Sequence, residues 1–242
     1  MKNENVFIRD FYNEYSVGLN STGYNHRHHS ILKWLIKFGI QPHYNVLEIG
    51  CGPGHSTLNF TSFIKSGKIV GVDISAENIK IAKELHKNNS NVEFIVSDMS
   101  DFSHELKFDV ICLPDVLEHI LIEQHHSLFK TLRNVLKDTG KIIIHIPDPE
   151  YLEYAHIHEK GELQIVDQPI HTYIISSSLK NTGLRITYLE SYSLATKNYD
   201  YQIIRLEPND LKPNYGSKPW DMSLKSRVRR KIKTVLGIKY FD

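Results

Sequence analysis

The chain has 242 residues, 40% of them hydrophobic and 24% charged, with a formal net charge of +1. That composition is ordinary for a folded globular chain of one domain with appendages, and it excludes a global electrostatic field directed at nucleic acid. Two cysteines, Cys51 and Cys112, both within apolar runs, read as buried thiols rather than a disulfide framework, and the first ten residues carry no apolar signal-peptide core. No run approaches the roughly 18 apolar residues that a bilayer span needs, so a cytoplasmic protein is the expectation.

From residue 45 onward, strand-like runs alternate with helical patterns. "NVLEIG" (45–50) is a strand and 55–66 a helix. "KIVGVD" (68–73) is a second strand, followed by a helix over 75–88 that Ser75 can cap. "NVEFIVSD" (91–98) and "FDVICLPD" (108–115) are the third and fourth strands. A helix with Leu117, Ile120, Leu121, Leu128, Leu132, Val135 and Leu136 as its apolar side is expected next, stopped by Asp138-Thr139-Gly140. The fifth strand is 141–147, a helix ends over 176–183, and 184–193 and 200–208 are late strands, the second antiparallel. This alternation predicts an α/β, Rossmann-like, doubly wound and mostly parallel seven-stranded sheet with an antiparallel late strand. Ligands of such sheets sit at the carboxyl ends of the strands, near the switch in strand order. Residues 1–44 are expected to form an N-terminal helical cap, 45–208 the catalytic domain, with 147–171 a substrate-wall insertion, and 209–242 a basic tail.

The turn after the first strand reads Glu48, then Gly50-Cys51-Gly52-Pro53-Gly54-His55. Glycines let the backbone turn sharply and approach a ligand without a Cβ in the way. The dinucleotide fingerprint G-x-G-x-x-G is not met, because His55 stands where its third glycine belongs. The alternating glycines after an acidic residue strongly resemble the first motif, E/D-x-G-x-G-x-G, of the class I S-adenosylmethionine-dependent methyltransferases. Asp73 at the end of the second strand, "VSDMSDF" after the third and "LPDVLEHI" after the fourth fill that family's later motifs in order. The resemblance covers about residues 30–207. It implies S-adenosylmethionine as cofactor, bound by Glu48, Gly50, Gly52, Gly54, Asp73, Ile74, Asp98, Met99, Leu113 and Pro114. Asp101 competes with Asp98 for the adenine, and Asp115 lies beside the transferred methyl. Arg27, with Tyr15 and Tyr24 nearby in the N-terminal segment, is a candidate partner of the cofactor carboxylate.

The fourth motif lacks the paired prolines of amino-methylating DNA enzymes, and neither cysteine follows a proline as in cytosine C5 enzymes. The "DVLEHI" form resembles the small-molecule group of quinone, sugar and natural-product methyltransferases. A hydroxyl acceptor gains from a histidine base. His119 and His171 are the candidates for that role; His145, on the fifth strand, reads as a core histidine. Tyr151, Tyr154 and His156 in the insertion are candidate substrate contacts. His156 and His158 with Glu153 and Glu159 lack an apparent third ligand, so no metal is assigned. The segment 224–240 is rich in Lys and Arg, free of acids, and places Leu224, Val228, Ile232, Val235 and Leu236 at helical spacing. It reads either as a peripheral contact with the inner face of a membrane or as a helix docked on its own domain or on a homodimer mate. The expected function is S-adenosylmethionine-dependent methyl transfer to a hydroxyl, or else an amine, of a small molecule, with a sugar, glycan or lipid-linked intermediate as first substrate. The rivals are an NAD(P)-dependent oxidoreductase or epimerase and a non-catalytic partner subunit.

Overall fold

The structure is a computed structural model, and residues 9–13, 26–159, 161 and 163–209 are described. The expectations for Tyr15, Tyr24 and the basic tail 210–242 fall outside these residues. A short helical segment covers 9–13, and the main elements follow from residue 26. Helix α1 is His26–Lys37, β1 Val46–Ile49, α2 His55–Phe63, β2 Ile69–Asp73, α3 Ala76–Leu85, β3 Val92–Val96 and β4 Phe108–Pro114. Two 3-10 turns, Leu117–His119 and Ile122–Gln124, lead to α4, His125–Val135. Then come β5 Leu136–Pro147, α5 Pro149–His158, α6 Thr172–Ser178, β6 Leu184–Tyr192 and β7 Tyr201–Pro208.

The seven strands form one sheet in the order β3-β2-β1-β4-β5-β7-β6. β1 pairs in parallel with both β2 and β4, and only β7 runs against its neighbours β5 and β6. The strand order reverses beside β1, so the loops after β1 and β4 flank the crevice where α/β sheets bind ligands.

Alternation along the central strands builds two cores. Leu47, Ile49, Val70, Val72, Ile111 and Ile144 face Phe129 and Leu132 of α4 and Ile175 of α6. Val46, Ile69, Val110, Cys112 and Ile143 face Ile31, Trp34 and Leu35 of α1 and Phe60 of α2. Strands buried on both faces have no room for polar residues at regular intervals, which explains the continuous apolar runs. Burial of each such large side chain contributes about 1.5–3 kcal/mol relative to exposure. Ser75 caps α3 by accepting from the Asn78 amide at 3.2 Å, and Asp148 caps α5 by accepting from the Glu150 amide at 3.0 Å. Pro149 follows at the first turn of α5, where its missing N–H costs nothing.

Three local expectations are corrected. The long helix after β4 is two 3-10 turns and a shorter α4. Leu136 opens β5 by pairing with Phe108, so Asp138-Thr139-Gly140 lies inside a 12-residue strand instead of stopping a helix. Gly140 is required there, because a Cβ would meet Leu136 Cδ1 at 2.7 Å. α2 ends at Phe63, three residues early. Among the described residues no helix is long and apolar enough to cross a membrane.

Candidate active site

A cavity of about 240 Å³ opens at the carboxyl ends of β1 to β4. One side is lined by Gly50, Cys51, Gly52, Asp73, Ile74, Ser97, Asp98 and Met99. Tyr12, Arg27, His28, Pro114, Asp115, Val116, His119 and Gln164 line the other.

The glycine turn is shaped by its neighbours. Gly50 has φ +66°, and a Cβ on it would lie 2.3 Å from Val116 Cγ2. A Cβ on Gly52, φ +53°, would meet nothing within 4 Å, so this residue leaves its backbone bare beside open space. The Gly52 amide donates to Asp73 Oδ2 at 2.8 Å. Asp73 Oδ1 accepts from the Ser75 amide at 2.8 Å and from Asn78 Nδ2 at 3.3 Å. Burial raises the Asp73 pKa, against these hydrogen bonds. The acid is thus fixed at the cavity wall with acceptor capacity left on Oδ2.

Beyond β3, Met99 is buried at φ +65° and lines the cavity. Asp98 is exposed, and its Oδ1 accepts from the Ser100 amide at 3.0 Å and the Ser100 hydroxyl at 2.6 Å. Asp101 is exposed and stands off the cavity wall.

At the other end, Asp115 adopts φ +52°, a backbone conformation that a non-glycine residue keeps only when its surroundings enforce it. Arg27 Nη1 reaches Asp115 Oδ2 at 3.2 Å, and His145 Nδ1 donates to Asp115 Oδ1 at 3.1 Å. The Tyr192 hydroxyl bonds His145 Nε2 at 2.6 Å and Ser30 Oγ at 2.9 Å. His145 is fully buried and stacks on Tyr201 at 4.7 Å. Burial would raise the Asp115 pKa, but His145, Arg27 and His119 together hold it below the usual carboxylate range. Asp115 raises the Arg27 pKa above its ordinary value, overcoming burial. The result is a partly buried anion and a more exposed cation side by side at the wall. His28 is neutral by contrast, its pKa lowered to about 4 by burial and then by Arg27.

His119 lies in the first 3-10 turn. Its Nδ1 donates to the Val166 carbonyl at 2.5 Å and to Asp167 Oδ1 at 3.0 Å. Its Nε2 lies 3.2 Å from the Gln164 side-chain amide nitrogen and 3.8 Å from Glu118 Oε1. Burial lowers the His119 pKa, but Glu118, Asp167 and the Val166 carbonyl outweigh it and hold it up at about 9. Glu118 is itself pushed up to about 8 by burial. Tyr12 closes over this end, donating to Gln164 Oε1 at 3.1 Å and meeting the His119 ring edge-on. Ser75 donates to Asn13 Oδ1 at 2.7 Å, so the 9–13 segment touches both ends of the cavity.

Several expected site residues lie elsewhere. Glu48 is fully buried on the α2 side of the sheet, where Oε2 accepts from Thr57 at 2.5 Å and burial raises the pKa to about 7. It alternates with Leu47 and Ile49, which carries it away from the cavity. Leu113 is fully buried in the core toward α4 and α6. Gly54 faces His86, whose Nε2 donates to its carbonyl at 2.9 Å. His171 precedes α6 and pairs with exposed Glu153 at 2.9 Å, outside the cavity. The Tyr151 hydroxyl donates to Glu159 at 3.3 Å, and exposed Tyr154 packs on His158. His156 Nε2 donates to the Asp167 carbonyl at 2.6 Å. None of the last four lines the cavity. The insertion reaches the cavity wall through Gln164, which the sequence reading missed together with Asp167. A polar Gln-x-x-Asp step within a long connection was the only signal available for them. Among the described residues no cluster of three or more His, Cys, Asp or Glu can hold a metal ion.

A family model described as a methyltransferase domain matches residues 40–206. The chain belongs to the methyltransferase-domain family. Its fold is that of the class I S-adenosylmethionine-dependent methyltransferases. It resembles the magnesium protoporphyrin IX methyltransferase of Synechocystis PCC 6803, solved with bound S-adenosylhomocysteine, at a TM-score of 0.66 and 19% identity, over 83% of this chain and 98% of that one. In sequence it is 33% identical over 104 residues to malonyl-[acyl-carrier protein] O-methyltransferase 1 of Ilyobacter polytropus, 43% of this chain and 38% of that protein. It is also 31% identical over 103 residues to putative methyltransferase 235L of Invertebrate iridescent virus 6, 41% of this chain and 36% of that protein. The match thus spans well under half the length of these two relatives. The cavity suits the methyltransferase cofactor. Gly52 presents bare backbone, Asp73 keeps acceptor capacity on Oδ2, and Arg27 and Asp115 set opposite charges side by side, which suits a zwitterionic amino-acid group.

Proposed function

We propose that the chain catalyses S-adenosylmethionine-dependent methyl transfer to a hydroxyl of a small molecule. The observation that carries this reading is the single cavity shared by the Gly50–Gly52 turn and Asp73 at one end and His119 at the other. When bound, S-adenosylmethionine supplies a methyl group already activated by a sulfonium. Asp73 would hold the ribose, Gly50 and Gly52 would give the backbone surface, and Ile74, Asp98, Met99 and Pro114 would line the rest of the cofactor site. Arg27 would take the methionine carboxylate, and Asp115 would accept from the ammonium. Enclosure orients the acceptor and excludes water. His119 accepts the hydroxyl proton at Nε2, the nitrogen left uncommitted by Val166 and Asp167.

The printed names of relatives support this reading in part: trans-aconitate 2-methyltransferase of Escherichia coli names a small-molecule acceptor, and malonyl-[acyl-carrier protein] O-methyltransferase names oxygen as the atom methylated. A sugar, glycan or lipid-linked acceptor is the first class to try, on the polar character of residues 147–171 and the basic segment 224–240. That segment would bring the chain to an anionic membrane surface in the cytoplasm.

The test is transfer of labelled methyl from S-adenosylmethionine to simple sugars, phenols and lipid-linked glycans. The reading expects an alkali-stable methyl ether product and loss of turnover in His119→Ala with S-adenosylhomocysteine affinity retained. Label on nitrogen or on no acceptor, or full turnover in His119→Ala, would overturn it. The absence of any turnover would favour a non-catalytic subunit.

A further inference from the structure

The α5–α6 connection and the N-terminal segment converge on the His119 imidazole of the first 3-10 turn, and the acid behind it belongs to none of the family motifs. Asp167 is partly buried and uses both carboxylate oxygens: Oδ1 accepts from His119 Nδ1 at 3.0 Å and Oδ2 from the Gln164 backbone amide at 2.5 Å. The Val166 carbonyl lies against the same His119 nitrogen at 2.5 Å. Two acceptors and no donor face Nδ1, so that nitrogen must carry its proton in every protonation state of the ring. The nitrogen that gains and loses a proton is therefore Nε2, which faces the cavity, Gln164 and Tyr12. His156 donates to the Asp167 carbonyl at 2.6 Å and so ties this connection to α5.

We propose that Asp167 is the positioning residue of the acceptor site: it fixes His119 in the Nδ1–H tautomer and raises the ring's proton affinity so that Nε2 acts on the acceptor. This inference rests on the proposed role of His119. It gives the 147–171 insertion a defined task, which is to carry the acid that orients a base on the opposite side of the chain fold. The charged groups that face His119 are Glu118 on its own turn, Asp167 on the insertion and Asp115 after β4, and Asp115 is already engaged by Arg27 and His145. Among the described residues Asp167 is the one carboxylate hydrogen-bonded to the ring. Its removal should therefore act on both the tautomer and the pKa, whereas Glu118 and Asp115 act through charge alone. The high proton affinity of His119 accords with this arrangement.

The experiment is a nitrogen-15 NMR titration of the imidazoles in the full chain, with the His119 signals assigned by their loss in His119→Gln. In the wild type His119 should titrate as the Nδ1–H tautomer with an elevated pKa. Asp167→Asn should lower that pKa by roughly 1–3 units, the size expected on losing an adjacent opposite charge, and mix the tautomers. Asp167→Glu, which keeps the charge, should restore at least half of the shift. A merely structural Asp167 would leave the titration of a folded Asp167→Asn chain within about 0.3 units of the wild type, and that result would overturn the proposal, as would an Nε2–H tautomer in the wild type. Calorimetry with S-adenosylhomocysteine on the same variants keeps the two claims apart. Unchanged affinity shows that the variants fold, while failure of the wild type to bind would strike the methyltransferase reading and leave the Asp167 result standing.

Discussion

The Gly52 amide donates to Asp73 Oδ2 at 2.8 Å, which locks the turn after β1 to the end of β2. The two motifs are 21 residues apart in sequence, yet they are one unit in the cavity wall. In the proposed site, the backbone that would approach the cofactor and the acid that would accept from it are placed by the same hydrogen bond.

Asp73→Ala should therefore weaken S-adenosylhomocysteine binding more than the loss of a single contact suggests, because the turn is released as well. A charged hydrogen bond is worth about 1.5–3 kcal/mol, which is roughly 10–100-fold in Kd. Calorimetry should show at least that loss, and Asp101→Ala should show none.

Gly50→Ala should destabilise the fold by about 1–3 kcal/mol, since φ +66° and the approach of Val116 Cγ2 to 2.3 Å both oppose a Cβ. Val116→Ala in the same chain should recover the steric part and leave the backbone part. Denaturant midpoints of the two variants separate these contributions.

His119 has its pKa raised to about 9 by Glu118 and Asp167 against burial. A base must be unprotonated to accept, so kcat should rise with pH up to a plateau above about 9. A cationic His119 that merely holds an anionic acceptor would give the opposite sign, with activity falling through the same range. The pH–rate profile of the labelled transfer decides between them.

Glu48 is fully buried with Oε1 unpartnered, and burial raises its pKa to about 7 from an ordinary 4.5. A carboxyl whose folded pKa is raised favours the fold below its unfolded pKa, and that advantage is lost as pH rises through the folded value. Stability should fall between about pH 4.5 and 7, by on the order of 3 kcal/mol. Glu48→Gln removes the titration, so its Tm should lose most of this pH dependence and exceed the wild-type Tm at pH 8.

The strands were legible in the sequence because a sheet covered on both faces leaves unbroken apolar runs such as "KIVGVD" and "KIIIHIP". The placement of Gly50, Gly52, Asp73, Ile74, Asp98, Met99 and Pro114 at one cavity was legible because they sit at strand ends or in the following loops, where order along the chain gives position in space. Glu48 and Leu113 are one step inside their strands, and there the two-residue alternation decides direction. Glu48 turns toward α2 and Leu113 toward α4, so their motif membership did not place them at the cavity. The acceptor end was the least legible. Asp167 meets His119 across 48 residues of chain, and His171, Tyr151, Tyr154 and His156 are directed by how α5 and α6 pack, which no local periodicity records. Leu136 began a strand instead of ending a helix because its partner Phe108 lies 28 residues earlier.

The central claim is that the turn after β1 and Asp73 form a site for S-adenosylmethionine. Its most direct test is calorimetric titration of the full chain with S-adenosylhomocysteine and, separately, with NAD(P). The account predicts one-to-one binding of S-adenosylhomocysteine that is weakened at least tenfold by Asp73→Ala, and no measurable binding of NAD(P). Tight NAD(P) binding without S-adenosylhomocysteine binding would contradict it.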